Sequence, residues 1–213
     1  MNTKHTVTYL FDPLCGWCYG ASPMVQKLAQ QNSLKLELAP TGLFSGVNGR
    51  VLDAEFAQYA WSNDLRIGKM TGQPFTELYR TQVLGKQGSR LDSEAATLAL
   101  TAVSLTEPQR ELMTLKLIQE ARYVHGLDIT SPAVVEKLLR DMGLAAAADK
   151  LASGSTELSL SNDARVQRAH RMMQTFGTSG VPALIVTKGD DRRLMRGDAL
   201  FGSFDDLMGS LAT

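Results

Sequence analysis

The chain has 213 residues, 44% of them hydrophobic, and its 22 Lys plus Arg balance 22 Asp plus Glu, so it can bury a full core without disulfides or metals and suits one domain, or one domain with a large insertion. With no net field, attraction to nucleic acid or to an anionic membrane is not expected, and partners must be chosen by local surface. No window of about 18 apolar residues exists, which excludes a membrane-spanning helix; residues 1–8 lack the apolar core and cleavage site of a leader, which, with Met1 taken as native, implies a cytoplasmic protein.

Residues 7–11 are β-branched and aromatic and read as a short buried strand that Asp12-Pro13 stops. Cys15-Gly16-Trp17-Cys18 follows at once. Over residues 16–31, Met24, Val25, Leu28 and Ala29 recur at helical spacing, so Cys15 falls at a helix N-terminus and Cys18 one turn inside. Pro23 should kink that helix. Residues 34–39 alternate apolar and polar as a second strand does, and this β-α-β start favours a parallel pair joined by a right-handed crossover. From about residue 53 to 171 the pattern is almost purely helical, over 91–105, 108–125, 132–142 and 144–151, with no competing strand pattern. Ser131 before Pro132 predicts a side-chain cap, and Gly143 a left-handed stop. Residues 162–176 give a further helix ended by Gly177. Strand character returns over 182–186, followed by a Gly189-Asp190 turn, a strand over 192–196 and a last helix near 204–211. Strands at both ends with helices between, and no repeat or low-complexity linker, make the middle an insertion packed on the same body.

Two cysteines are too few for a disulfide framework. A zinc site needs about four ligands, and His5, His125 and His170 show no ligand spacing to the pair. Two cysteines three apart could be inert thiols packed like small hydrophobes, but strand, breaker and helix start around them, with Pro23 beyond, favour a redox pair. A helix N-terminus offers unpaired N–H groups and the positive end of the macrodipole, which suits Cys15 to attack as a thiolate. Cys18, a turn deeper, should be shielded and raised in pKa, as befits the thiol that resolves a mixed disulfide. Trp17 is expected to be exposed, packing against a peptide partner or shielding the sulfurs. His125 and His170 read as surface or packing residues, and Met172-Met173 as core filler.

Three segments carry a family likeness. FDPLCGWCYGASP, from Phe11, resembles the active-site opening of the DsbA-like branch of the thioredoxin superfamily, including its FrnE-type cytoplasmic members; FGTSGVPALIV, from Phe176, resembles that superfamily's cis-proline loop; EARYVHGLDITSPAVVEKLL, from Glu120, resembles the branch's helical insertion. The likeness implies an α/β thioredoxin fold with a large inserted all-helical subdomain. It makes Cys15 the nucleophile, Cys18 the resolving cysteine and Pro182 the cis-proline facing them. Val181, with Gly180 before it, would offer backbone groups to an extended peptide in the manner of strand addition. Read without the likeness, Pro182 is an ordinary trans proline at a strand start. Two departures stand out: Gly16-Trp17 replaces the Pro-His of strong oxidases, and Tyr9 stands where many relatives hold a buried acid six positions before the first cysteine.

Together these features predict a thioredoxin-like domain over 1–52 and 172–213, interrupted by a helical subdomain over 53–171. It would reduce or isomerise disulfides in proteins or small molecules through a Cys15 mixed disulfide, with no bound cofactor, no nucleic acid or membrane partner, and glutathione as a candidate electron donor. In a reducing cytoplasm the pair rests mostly as the dithiol. One rival is a kappa-class glutathione-transferase-like enzyme or isomerase using glutathione, which needs no second cysteine, so Cys18 argues against it. The other is a holdase whose helical subdomain and Met-rich surface bind apolar chains.

Overall fold

The computed structural model describes residues 5–212; residues 1–4, on which the leader reading partly rests, and residue 213 lie outside them. In chain order the elements are β1 (His5–Phe11), α1 (Gly16–Ala29), β2 (Leu34–Pro40), β3 (Arg50–Val51), α2 (Ala54–Thr71), α3 (Glu77–Tyr79), β4 (Arg90–Leu91), α4 (Glu94–Thr106), α5 (Glu111–Tyr123), α6 (Pro132–Asp141), α7 (Ala145–Ala152), α8 (Thr156–Phe176), β5 (Ala183–Lys188), β6 (Asp191–Arg196) and α9 (Phe204–Ala212).

β1 is central, and both of its faces are covered, so that every residue from Val7 to Phe11 is buried. The sheet order is β2-β1-β5-β6: β1 runs parallel to β2, with Tyr9 opposite Leu38, and antiparallel to β5, with Tyr9 opposite Leu184. Side chains alternate across the sheet, so Val7, Tyr9, Phe11, Leu184 and Val186 join Val25 and Leu28 of α1 and Leu207 and Leu211 of α9 in one core. Leu10, Ala183 and Ile185 face the other way, onto Ala169, Met172 and Met173 of α8. Met172 and Met173 are thus core filler. The parallel β-α-β start, the antiparallel return and the helices interposed between them make a thioredoxin fold with a helical insertion. The expected boundary at residue 172 falls inside α8, which serves the sheet.

α1 runs through Pro23 as a helix of 14 residues. Proline has no N–H to give the carbonyl one turn back. That carbonyl, on Tyr19, accepts instead from Gln73 Nε2 at 3.2 Å, so the insertion satisfies what Pro23 leaves open. α1 and α2 approach closely because α1 presents two glycines to α2. A Cβ on Gly16 would sit 2.4 Å from Asp64 Oδ1, and one on Gly20 2.5 Å from Ile67 Cγ2.

The secondary structure departs from the sequence reading at β4 and at the start of α6. β4 is a strand inside the stretch expected to be helical; it pairs antiparallel with β3, Arg50 opposite Leu91. Two-residue strands carry no alternation to read. Ser131 occupies the cap position before Pro132 but makes no side-chain cap bond, whereas Ser155 caps α8 on Leu158 N–H at 3.3 Å.

Candidate active site

The loop between β1 and α1 is held by Asp12, which is fully buried. Its carboxylate accepts from Leu14 N–H at 2.8 Å, Ser93 Oγ–H at 2.8 Å and Phe44 N–H at 3.2 Å, tying the loop to the segment after β2 and to the start of α4. Its carbonyl accepts from Cys15 N–H at 3.1 Å. Burial raises the Asp12 pKa even against these bonds. From the insertion, Tyr123 donates its hydroxyl to the Leu14 carbonyl at 2.7 Å and stacks on Tyr19, ring centroids 4.8 Å apart. Leu14, the residue just before the motif, is therefore clamped from both parts of the chain.

Cys15 sits at the N-cap of α1 and Cys18 lies within its first turn. Both thiols are free; Cys15 is 7% exposed and Cys18 1%. Cys15 Sγ lies 3.6 Å from the Val181 carbonyl, and the Val181-Pro182 peptide is cis. Burial pushes the Cys18 thiol well up, and its hydrogen bond with Cys15 adds to this. Tyr9 donates its hydroxyl to the Cys18 carbonyl at 3.2 Å. It thus braces the first turn of α1.

Of the residues singled out by sequence, Cys15, Cys18, Val181 and Pro182 come together. Gly180 stands exposed beside them, its carbonyl accepting from Thr178 Oγ at 3.4 Å. Trp17 is not exposed as expected but half-buried: its ring meets Phe201 edge-on at 5.2 Å and lies under Arg66 at 5.7 Å. The segment after β6 folds back over the motif and supplies that cover. Pro182 is buried, and its carbonyl oxygen would lie 2.1 Å from a Cβ at Gly197, so only glycine permits that approach. His170 places Nε2 2.6 Å from the Thr41 carbonyl, a packing role.

The sequence reading missed a polar cluster that the insertion brings against Gly16. Tyr79 donates to Asp64 Oδ2 at 2.9 Å, and Arg122 packs beside both. These three and Cys15 line one cleft of about 230 Å³. Burial pushes the Asp64 carboxyl up to about 7, against the pull of Tyr79 and Arg122. The folded protein therefore holds this proton more tightly than the unfolded chain, whose aspartate titrates near 4. The resulting stabilisation is complete below about pH 4 and is lost as pH rises through about 7. Asp64→Asn keeps an acceptor for Tyr79 but has no proton to lose. It is expected to flatten the fall in urea-unfolding free energy between about pH 5 and pH 7 by on the order of 2 kcal/mol. A pH profile parallel to that of the unsubstituted protein would show that Asp64 titrates normally.

Comparison with known proteins follows the same lines. The family described as DSBA-like thioredoxin domain matches residues 6–207. Among solved structures, the cytosolic disulfide reductase DsbM from Pseudomonas aeruginosa is 29% identical, with 97% of each chain covered and a TM-score of 0.85; the same protein solved with GSH gives 0.83. A candidate protein disulfide isomerase from Nitrosomonas europaea is 28% identical, with 98% of each chain covered and a TM-score of 0.78. No curated protein matches.

Proposed function

The chain belongs to the DSBA-like thioredoxin domain family, and from that premise we propose that it is a cytoplasmic thiol-disulfide oxidoreductase that reduces or isomerises disulfides through Cys15 and Cys18. The observation that carries this reading is the placement of Cys15. Its Sγ stands at the helix N-cap, at the wall of a cleft and 3.6 Å from the Val181 carbonyl, with Cys18 buried a turn behind.

In the proposed reaction the Cys15 thiolate attacks one sulfur of the substrate disulfide. The substrate S–S bond breaks, its other sulfur leaves as a thiolate and takes a proton, and Cys15 is left in a mixed disulfide. Cys18 then gives up its proton and attacks the Cys15 sulfur, releasing the second substrate thiol and closing Cys15–Cys18. Two electrons pass from the dithiol to the substrate. The high Cys18 pKa suits this order, because Cys18 stays protonated until the mixed disulfide forms beside it. The backbone of Val181 and Gly180 next to Pro182, together with the Trp17 ring, forms the proposed substrate-binding face. Glutathione is the proposed electron donor: two molecules restore the dithiol and leave as glutathione disulfide. The relative solved with GSH supports this choice, and the cytosolic description of that relative supports the compartment. The proposed division remains 1–52 with 172–213 around 53–171, with α8 shared between the two parts.

The reading is tested on the reduced protein by brief iodoacetamide treatment and mass mapping, beside insulin reduction with glutathione as reductant. Cys15 is expected to be labelled far faster than Cys18, and insulin to be reduced catalytically. Equal labelling, or faster labelling of Cys18, would contradict the assigned roles.

A further inference from the structure

The cleft beside Cys15 has a buried cation in its lining. Arg122 is 2% exposed, its Nε has no hydrogen-bond partner, and its guanidinium lies 5.4 Å from the centre of the Tyr79 ring and 5.7 Å from that of Tyr123. Burying an arginine is costly, and an unpartnered donor on it adds to the cost. Two carboxyl groups bear on it electrostatically, Asp64 and Asp128. Both are occupied elsewhere: Asp64 by the Tyr79 hydroxyl, and Asp128 by the N–H and hydroxyl of Thr130 at 3.2 and 2.6 Å. Asp64, pushed up to about 7 by burial, also neutralises Arg122 only in part at neutral pH.

The rest of the lining, Asn63 apart, is apolar and aromatic, with Phe56 and the exposed Tyr59 on α2 and Cys15 in the wall. A cavity of about 150 Å³ holds benzene, so about 230 Å³ takes one substituted ring. A buried guanidinium that bonds Tyr79 and still has an unpartnered Nε–H is suited to a carboxylate. We infer that this cleft is a substrate subsite selecting small disulfides and thiols that carry a carboxylate on an apolar body, with Arg122 meeting the carboxylate while Cys15 meets the sulfur. The inference rests on the Cys15 chemistry proposed above. It makes Arg122 a specificity-determining residue contributed by the inserted helices.

The test uses an aromatic disulfide, 5,5′-dithiobis(2-nitrobenzoate), and its neutral dimethyl ester, in single turnover with the pre-reduced protein. One disulfide accepts two electrons, two aryl thiols leave, and Cys15–Cys18 closes. Rates are normalised to those of 2-mercaptoethanol with the same compounds. The acid is expected to be preferred over the ester by about tenfold or more, the gain of one charge-assisted contact. Arg122→Leu should erase that preference, bringing acid and ester to equal normalised rates, and Arg122→Lys should keep part of it. Equal normalised rates for acid and ester on the unsubstituted protein overturn the inference, whether or not the Arg122 variants fold. A non-exchanging thioether, 5-(methylthio)-2-nitrobenzoate, separates the inference from the Cys15 reading. If neither disulfide reacts, the Cys15 reading fails, and titration of the thioether against its methyl ester still decides the subsite: tighter binding of the acid supports it, and equal binding overturns it.

Discussion

Cys15→Ser is expected to reduce turnover of insulin disulfides to the uncatalysed rate, while Cys18→Ala keeps the first attack and loses release. A serine hydroxyl at the N-cap is a normal capping group, so the fold should persist. It cannot attack a disulfide sulfur as a thiolate does. In Cys18→Ala the mixed disulfide on Cys15 has no internal thiol to resolve it, and covalent adducts with substrate should accumulate on non-reducing gels. The asymmetry follows from placement. Cys15 stands at the cleft wall with its sulfur toward the Val181 carbonyl, and Cys18 is enclosed a turn behind it. If Cys15→Ser still reduced insulin, the attacking thiol would have to be Cys18, and its burial would need another opening. If neither the unsubstituted protein nor either variant reduced insulin above the uncatalysed rate, the thiols would be incidental and a binding role for the helical subdomain would be favoured.

The sheet was legible in the sequence because its strands advertise themselves: β1 is continuous and apolar, β2 alternates, and β5 follows Gly-Val-Pro. Long insertion helices such as α5 showed through periodicity and α8 through its closing glycine. β4 was not legible, since two residues cannot show a period. The proposed redox pair was visible as a local feature because Cys15 and Cys18 lie three positions apart and the helix start follows from local pattern alone. Trp17 was misjudged because its cover comes from Phe201, and sequence pattern does not place the segment after β6 over the motif. Asp64, Tyr79 and Arg122 went unread for a related reason. Each sits on a different piece of the insertion, and only the close approach of α2 to the two glycines of α1 gives them a common address. Asp12 was visible, but only as a strand breaker. Nothing local to Asp12-Pro13 announces partners at Phe44 and Ser93.

Those distant partners make Asp12 the substitution with the largest expected effect on stability. Asp12→Ala would strand the buried Leu14 N–H and the half-buried Phe44 N–H, and would leave the Ser93 hydroxyl with Ser45 Oγ, 2.9 Å away, as its partner. A buried donor left without an acceptor costs about 1–3 kcal/mol, and relaxation makes the sum over the two backbone donors less than additive, so a loss of roughly 2–4 kcal/mol is expected. That is a large share of the roughly 5–15 kcal/mol that holds a domain folded. Burial already raises the Asp12 pKa, so the negative charge is not what the fold gains from; the acceptor geometry is. Asp12→Asn separates the two. It keeps one oxygen for Leu14 N–H but turns an amide NH₂ toward Phe44 N–H and Ser93, and should fall between the alanine variant and the unsubstituted protein. Urea titrations of the three proteins at one pH measure this, and brief alkylation reads the site in parallel. Once the loop before α1 is no longer tied to the segment after β2 and to α4, Cys18 should lose part of its protection and label faster relative to Cys15. A cost below about 1 kcal/mol for Asp12→Ala would mean that water or a shifted hydroxyl satisfies these donors, and that Asp12 is not the anchor of the loop.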